Sequence, residues 1–416
     1  MFGIALVHWA FPPTVGGVET HLWEYSQRLA AAGHRVTVIT GTPDADVPDG
    51  VELLYHEGLD LSRADRRDER DAQLEGWLEL ALGTREIDLV HGHNLHHFEP
   101  EPAQALTRLR AKLGFRLLHT YHSLWPDEPG HPAAEAVREW NGHCVVSKFL
   151  ADSYASVLKL HPRPTVTYLG VGVSRYRDIP SLPDDLTTIL LPGRLIPDKG
   201  AEQALLAFAD LVSRRPDGAR LRLLLTETPK QVDYHGERNG FRGRLNDLVA
   251  KHRLRDQVEF VEAGWAKMPA LYERAHIVLC PSVFDEPLGL AALEAQCAAR
   301  PVVATQVGGH SEAVVDKKSG LVVPADDVEQ LARAIAQLLD DPALARTMGT
   351  HGRTRVLDRF DSERSYPTML ISYYRYLDEH GVLPPSAFDG HAPAGRETLD
   401  LGHAVAVHQD VELPVG

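Results

Sequence analysis

The chain is predicted to be an α/β protein of two Rossmann-like domains. Three observations predict this: its length, a strand–loop–helix–strand pattern that recurs along it, and a proline- and aspartate-rich segment near its middle. At 416 residues it exceeds the usual size of one hydrophobic core. Gly3 to Trp9 is a short apolar segment, broken by Pro12, Pro13, Gly16 and Gly17. A helical pattern from Val18 to Ala32 is stopped by Gly33, and Val36 to Thr40 reads as the next strand, completing a βαβ unit.

The pattern then repeats. Ile87 to Val90 is strand-like and is followed by a histidine-rich loop, His91 to His97. A helix over Ala103–Leu113 leads to a strand over Phe115–His119. Cys144 to Val146 is another strand, Ser147 starts a helix, and Thr165 to Tyr168 closes the first half. Asp178 to Asp185 reads as the linker. Beyond it, strands are predicted at Thr188–Leu191, Leu221–Leu225, Val258–Val261, Ile277–Leu279, Val302–Ala304 and Leu321–Val323. Helices over Ala201–Ser213, Phe241–Lys251, Met268–Arg274, Leu288–Ala298 and Val328–Leu339 separate them, as expected of a parallel sheet covered on both faces. The expected division is 1–182, 183–365, a helix at 366–380 returning to the first domain, and a loose tail at 381–416. His391, His403 and His408 read as surface residues of that tail.

Composition narrows the classes of function. Hydrophobic residues make up 44% and charged residues 24%, which suits a folded enzyme. The net charge of −15 argues against nucleic acid as a partner. Arg108, Arg110, Lys112 and Arg116 form either a solvated helix face or a small basic face for a membrane or an anionic acceptor. Cys144, Cys280 and Cys297 lack metal-site spacing and read as reduced core thiols. The first residues carry no signal-peptide pattern and no stretch is apolar enough to span a bilayer, so the expectation is a cytoplasmic protein. Peripheral membrane contact stays open.

Four constellations carry chemistry. Gly16 and Gly17 precede a helix, where they either form an ordinary turn or let backbone N–H groups approach an anion. Arg194 and Lys199, in Gly193-Arg-Leu-Ile-Pro-Asp-Lys-Gly200, are either surface charges or a phosphate clamp at a strand's end. Glu286 and Glu294 lie in Glu-Pro-Leu-Gly-Leu-Ala-Ala-Leu-Glu. In one continuous helix they would be about 12 Å apart, too far to share a proton. They would touch different parts of one ligand, or else be a helix cap and a surface glutamate. His91, His93, His96, His97, His119 and His122 follow two strand ends and could orient a hydroxyl or phosphate, lie on the surface, or bind metal; no carboxylate or cysteine completes a metal site.

Together these segments resemble the GT-B glycosyltransferases of glycosyltransferase family 4 (glycosyl transferases group 1). The resemblance runs through Pro12 to Glu19, Gly33-His34, Asp88 to His93, Ser147, and Gly193 to Gly200. It is most specific at Pro281-Ser282, Glu286 to Ala295, and Pro301 to Gly309, and covers about the first 365 residues. It implies a GT-B fold, two Rossmann-like domains facing each other across a cleft, and a retaining, metal-independent transfer of a hexosyl or N-acetylhexosaminyl group. The donor would be a nucleoside diphosphate sugar, with uridine preferred over guanosine; no other cofactor is expected. The acceptor would be a hydroxyl of a small polar molecule such as a sugar, cyclitol or aminoglycoside precursor. A glycolipid, a nucleotide-sugar 2-epimerase reaction and phosphorolysis are the alternatives on the same scaffold.

By the same resemblance, Gly16 and Gly17 adjoin the donor phosphates, and Arg194 and Lys199 hold the diphosphate. Glu286 contacts the donor sugar and Glu294 the ribose. The amides of Leu288, Gly289 and Leu290 approach the sugar or distal phosphate, and His122 lies at the reacting sugar. The chain departs from the family at Leu169-Gly-Val-Gly172, where a Pro-Asn-Gly-Val-Asp pattern is usual. Thr226-Glu-Thr228 also replaces a glycine-rich turn. High Ala, Arg and Gly content is associated with a bacterial source.

Overall fold

The computed structural model describes residues 1–381 apart from 15, 62–66, 126–129, 158, 161–162, 228–237 and 364. The expected tail beyond Gly381, with its three histidines, and Thr228 therefore lie outside the described residues. Among those described, seven strands form one sheet: β1 (Gly3–Val7), β2 (Arg35–Thr40), β3 (Val51–Tyr55), β4 (Leu89–His93), β5 (Arg116–Tyr121), β6 (Gly142–Val145) and β7 (Thr165–Val166). Their order is β3-β2-β1-β4-β5-β6-β7, with every pairing parallel. The connecting helices are α1 (Gly17–Ala31), α2 (Arg67–Gly83), α3 (Glu101–Leu113), α4 (Pro132–Arg138) and α5 (Lys148–Val157). Gly33, at φ 85°, ends the turn after α1 in the left-handed conformation that glycine adopts at little cost.

A second parallel sheet runs β10-β9-β8-β11-β12-β13. Its strands are β8 (Thr188–Leu191), β9 (Arg222–Glu227), β10 (Val258–Glu262), β11 (Ile277–Cys280), β12 (Val302–Thr305) and β13 (Gly320–Val323). Its helices are α6 (Ala201–Arg214), α7 (Arg238–Lys251), α8 (Met268–Arg274), α9 (Leu290–Cys297), α10 (His310–Ala313), α11 (Val328–Asp340) and α12 (Pro342–Arg359), followed by α13 (Ser365–His380). In both sheets the strand order reverses beside the first strand, between β1 and β4 and between β8 and β11. Such switch points open a crevice at the carboxyl ends of the strands.

The histidine-rich stretch is only in part the loop expected from the sequence: residues 94–97 are bends and turns, but its first three residues are strand. His91 and His93 are in β4, the central strand, and His91, His93, His96 and His119 are fully buried. Their rings are accommodated by hydrogen bonds: His91 Nε2 to Thr120 Oγ1 at 2.7 Å, His91 Nδ1 to Tyr374 Oη at 2.7 Å, and His119 Nε2 to the Leu95 amide at 3.0 Å. Buried polar groups with partners cost little. Helix α12 was not expected either, because it carries no apolar stripe. It packs through small residues: a Cβ on Gly349 would lie 2.2 Å from the Ala299 carbonyl oxygen, and one on Gly352 would lie 2.6 Å from Gln296 Cγ. The basic side of α3 is a lattice of ion pairs, Arg108 with Glu75 and Glu101 and Lys112 with Glu79. Cys144, Cys280 and Cys297 are buried thiols.

Within the described residues the chain passes between the lobes twice. At the second crossing Val171 pairs with Asp361: the Val171 amide donates to Phe360 O at 2.7 Å and the Ser362 amide to Val171 O at 3.1 Å. This explains Gly170 in the departing segment, since a Cβ there would sit 2.6 Å from the Ser362 nitrogen. Helix α13 then seats Tyr374 against Tyr25, hydroxyl to hydroxyl at 2.6 Å, on the first lobe. Glu312 of α10 clasps the lobes from the second. Its carboxylate accepts the Lys148 and Phe149 amides at the start of α5, each at 2.8 Å, and the Tyr168 hydroxyl at 2.8 Å. A carboxylate there also complements the positive end of the helix dipole. Glu312→Ala is expected to lower stability by about 1–3 kcal/mol and to enlarge the radius of gyration. Urea denaturation and small-angle scattering read both, and unchanged values would show that the clasp does not hold the lobes together.

Candidate active site

Loops from both switch points meet in one cleft. Its lining includes Gly16, Gly17, His122, Arg194, Lys199, Glu286, Leu288, Gly289, Leu290 and Glu294, so the ten residues singled out from the sequence are brought together. Gly16 follows β1 in extended conformation, φ −163°, so it is not needed for a left-handed turn. What it supplies is room: a Cβ would fall 2.1 Å from Glu19 Oε2, and that buried carboxylate lies 3.4 Å from His8 Nε2. A Cβ on Gly17 would lie 3.3 Å from Leu290 Cδ1, so the start of α1 meets the start of α9 across the cleft. Neither helix has a side-chain cap. The first amides of any helix lack intrahelical acceptors, and without a cap those of α1 and α9 have no side-chain acceptor at the N-cap either; with the helix dipoles they favour an anion between them.

After β8 the chain turns through Gly193 (φ 105°) and Gly200 (φ 72°). A Cβ on Gly200 would lie 1.9 Å from the Pro281 carbonyl oxygen, so the β8 and β11 loops are in backbone contact. Arg194 is half-buried, and its guanidinium has no ion-pair or hydrogen-bond partner among the described residues. Lys199 pairs with the buried carboxylate of Glu286, which also accepts the Ser282 hydroxyl at 2.8 Å. Burial opposes ionisation of Glu286, but the Lys199 ammonium and these hydrogen bonds outweigh it and hold the carboxyl below its ordinary range.

Glu286 is not in the helix that follows. The segment was expected to be helical from Leu288, but α9 begins at Leu290, with Gly289 as its left-handed N-cap at φ 91°. The cause is tertiary. The Gly308-Gly309 turn presses on the loop, where added Cβ atoms would lie 2.3 Å from Glu286 O and 2.4 Å from Pro287 O. The Gly309 amide donates to Glu286 O at 2.6 Å, and His310 packs beneath Gly289. The spacing of about 12 Å along one helix axis therefore does not apply, but the two glutamates still have separate partners. Glu294, half-buried, accepts the Tyr272 hydroxyl at 2.8 Å. Burial raises its carboxyl above the ordinary range, against the opposing effects of Tyr272 and Arg175.

His122 follows β5. Its Nε2 lies 2.9 Å from His93 Nδ1, and its backbone amide donates to Asn94 Oδ1 at 2.8 Å. Burial, reinforced by His21 and His8, holds its pKa well below the usual histidine value, so the ring is neutral. A neutral imidazole can orient a hydroxyl but supplies no full charge.

Several lining residues carry no sequence signal. Arg175, in the turn after the departing Leu169–Gly172 segment, stacks on Trp265 at 3.7 Å from the ring centroid and donates to Trp265 O at 2.6 Å. Trp265 also meets Trp23 of α1 at 5.9 Å between centroids. Glu24, whose carboxyl burial raises, lines the same wall. Nothing in local spacing marks these residues, because they converge only when the lobes do. Thr226 lines the cleft and donates to Gly193 O at 2.7 Å, whereas Glu227 is tied to Arg242 at 2.5 Å. Among the described residues, no three His, Cys, Asp or Glu side chains are placed to hold a metal ion, and no helix is long and apolar enough to cross a membrane.

Residues 15–175 match the family described as Glycosyltransferase Family 4, and residues 173–355 match Glycosyl transferases group 1. Glycogen synthase from Mycobacterium tuberculosis is 29% identical over 393 residues, covering 86% of this chain and 91% of its own. D-inositol 3-phosphate glycosyltransferase from Thermobispora bispora is 29% identical over 412 residues, covering 89% and 93%. Sucrose-phosphate synthase from Thermosynechococcus elongatus superposes with a TM-score of 0.75 at 25% identity, over 91% of this chain and 99% of that one. The two matches overlap at residues 173–175, at the crossing between the lobes, and together span every strand from β2 to β13. The chain belongs to glycosyltransferase family 4 and has the GT-B fold.

Proposed function

We propose that this glycosyltransferase retains anomeric configuration and moves a hexosyl or N-acetylhexosaminyl group from a nucleoside diphosphate sugar to a hydroxyl of a small polar acceptor. The observation that carries the reading is the half-buried, unpaired guanidinium of Arg194 in the cleft where the uncapped ends of α1 and α9 face each other. Guanidinium and backbone donors are the complement of a diphosphate. Lys199 is committed to Glu286, so it adds a shared charge rather than a free one. Uridine diphosphate sugars are the preferred donors. A sugar or cyclitol acceptor fits the relatives that act on inositol phosphate.

In the reaction the anomeric C–O bond breaks and its electron pair leaves with the diphosphate. The acceptor oxygen forms the new bond on the same face, and its proton passes to the departing phosphate. Charge grows on that phosphate as the bond lengthens. Arg194, Lys199 and the helix-terminal amides stabilise it more in the transition state than in the ground state. Glu286 holds hydroxyls of the transferred sugar, Glu294 those of the ribose, and His122 orients the reacting sugar. Leu288, Gly289 and Leu290 offer their amides to the sugar or distal phosphate.

A panel of nucleoside diphosphate sugars, with mass spectrometry of the products from candidate acceptors, tests the reading; the released nucleotide names the donor and the mass gained names the sugar. Inversion at the anomeric carbon in the product would overturn retention. Arg194→Ala is expected to lower kcat about 100- to 1000-fold in a folded protein, and near-normal turnover would remove the phosphate role. Glu294→Ala is expected to weaken free nucleoside diphosphate about tenfold by calorimetry, with a smaller effect on kcat than Arg194→Ala.

A further inference from the structure

Glu294 is held from behind by a side chain that does not line the cleft. Tyr272, in α8, is fully buried, and its hydroxyl lies 2.8 Å from Glu294 Oε2 and 3.2 Å from the Ala291 carbonyl oxygen. A phenol has one proton to give, and the nearer, charged acceptor takes it. Tyr272 keeps that proton, since burial and the Glu294 charge push its pKa well above the ordinary value. The residue is fixed in place. Arg300, also fully buried, donates to Tyr272 O at 2.9 Å, Glu273 O at 3.3 Å and Pro180 O at 3.0 Å, which ties the end of α8 to the segment joining the lobes. Tyr176 meets the Tyr272 ring edge-on, with centroids 5.8 Å apart. The other carboxylate oxygen, Glu294 Oε1, has no hydrogen-bond partner among the described residues. It is not sealed in the core, for Glu294 is half-buried and lines the cleft.

We propose that Tyr272 is a positioning residue for donor binding: by holding Glu294 through Oε2 it presents Oε1 to the ribose hydroxyls, and so makes the cleft select ribonucleotides over their deoxy counterparts. The inference rests on the role given to Glu294 above. Two effects of one hydrogen bond support it. A glutamate side chain loses rotamer freedom when it grips a ligand, and the bond from Tyr272 removes that freedom before the ligand arrives. Burial also works against the ionised carboxylate, and the Tyr272 hydroxyl opposes it. The ionised form is the one needed, because only it accepts at both oxygens and offers no competing proton. A nucleotide without ribose hydroxyls would cover Oε1 and leave a charged acceptor unpaired, which costs more than the loss of one neutral hydrogen bond.

The test is calorimetry with uridine and guanosine diphosphates, the tighter of the two being taken forward beside its 2′,3′-dideoxy analogue. Tyr272→Phe keeps the ring and removes only the hydroxyl. It is expected to weaken the ribonucleotide about 3- to 10-fold and the dideoxy analogue by less than about twofold. Donor KM is expected to rise with the ribonucleotide Kd, and kcat to change by a smaller factor. The double variant Tyr272→Phe/Glu294→Ala is expected to bind no more weakly than Glu294→Ala alone. Ribonucleotide binding needs ionised Glu294, so it weakens as pH falls through that carboxyl's pKa. Loss of the hydroxyl raises this pKa, and in Tyr272→Phe the weakening is expected to set in at higher pH. Equal losses for both nucleotides, additive losses in the double variant, or an unmoved pH profile overturn the proposal. Wild-type protein that binds the two nucleotides equally well overturns it without any variant, and removes the ribose role of Glu294 too. Ribose discrimination that survives intact in Tyr272→Phe but is lost in Glu294→Ala sinks this inference alone. Binding of neither diphosphate by the wild type sinks the donor reading and this inference together.

Discussion

The ion pair between Lys199 and Glu286 is the constraint on which the rest of the cleft depends. A buried carboxylate without a partner costs several kcal/mol, on the order of 3–5 when one member of a buried pair is removed. Glu286 is 7% exposed, so its loop can adopt this position only with the Lys199 ammonium and the Ser282 hydroxyl against it. Lys199 lies just after β8 and Glu286 just after β11, so the pair bolts together the two loops at the switch point of the second sheet. The close backbone contact of Gly200 with Pro281 and the pressure of Gly308-Gly309 from below complete the constraint. The start of α9 is placed as a consequence, and its unpaired amides face the start of α1.

The two lobes are joined by more than the linker. The chain crosses back at Val171–Asp361, α13 seats Tyr374 on the first lobe, and Glu312 reaches over to the amides that open α5. Glu312 lies two residues after His310, and His310 packs under Gly289 at the head of α9. The group that ties the lobes together thus belongs to the segment that supports the anion-facing helix end. Holding the lobes together and shaping the cleft therefore rest on one segment.

Much of the fold was legible because parallel strands and their crossover helices leave a strong pattern. Ile4 to Val7, Ile189 to Leu191 and Ile277 to Leu279 are buried on both faces and read as apolar runs. Elements stabilised in other ways were not. Helix α12 packs through glycines against α9, and an amphipathic stripe was never required of it. His91 and His93 look like loop residues by polarity, yet they occupy the central strand, since Thr120, Tyr374 and His122 supply hydrogen bonds that water would otherwise make.

The sequence by itself determined the two-lobed α/β architecture and the residues at the strand ends, since Gly16, Arg194, Lys199, Glu286 and Glu294 stand in local patterns that backbone geometry makes recognisable. Only the tertiary structure decided how they are used. It left Arg194 unpaired, committed Lys199 to Glu286, moved Glu286 out of the helix, and brought Arg175, Trp265 and Glu24 to the wall of the cleft. The physical reason is that periodicity and turn chemistry act over a few residues, whereas burial, charge pairing and close backbone approach are set by partners tens to hundreds of residues away.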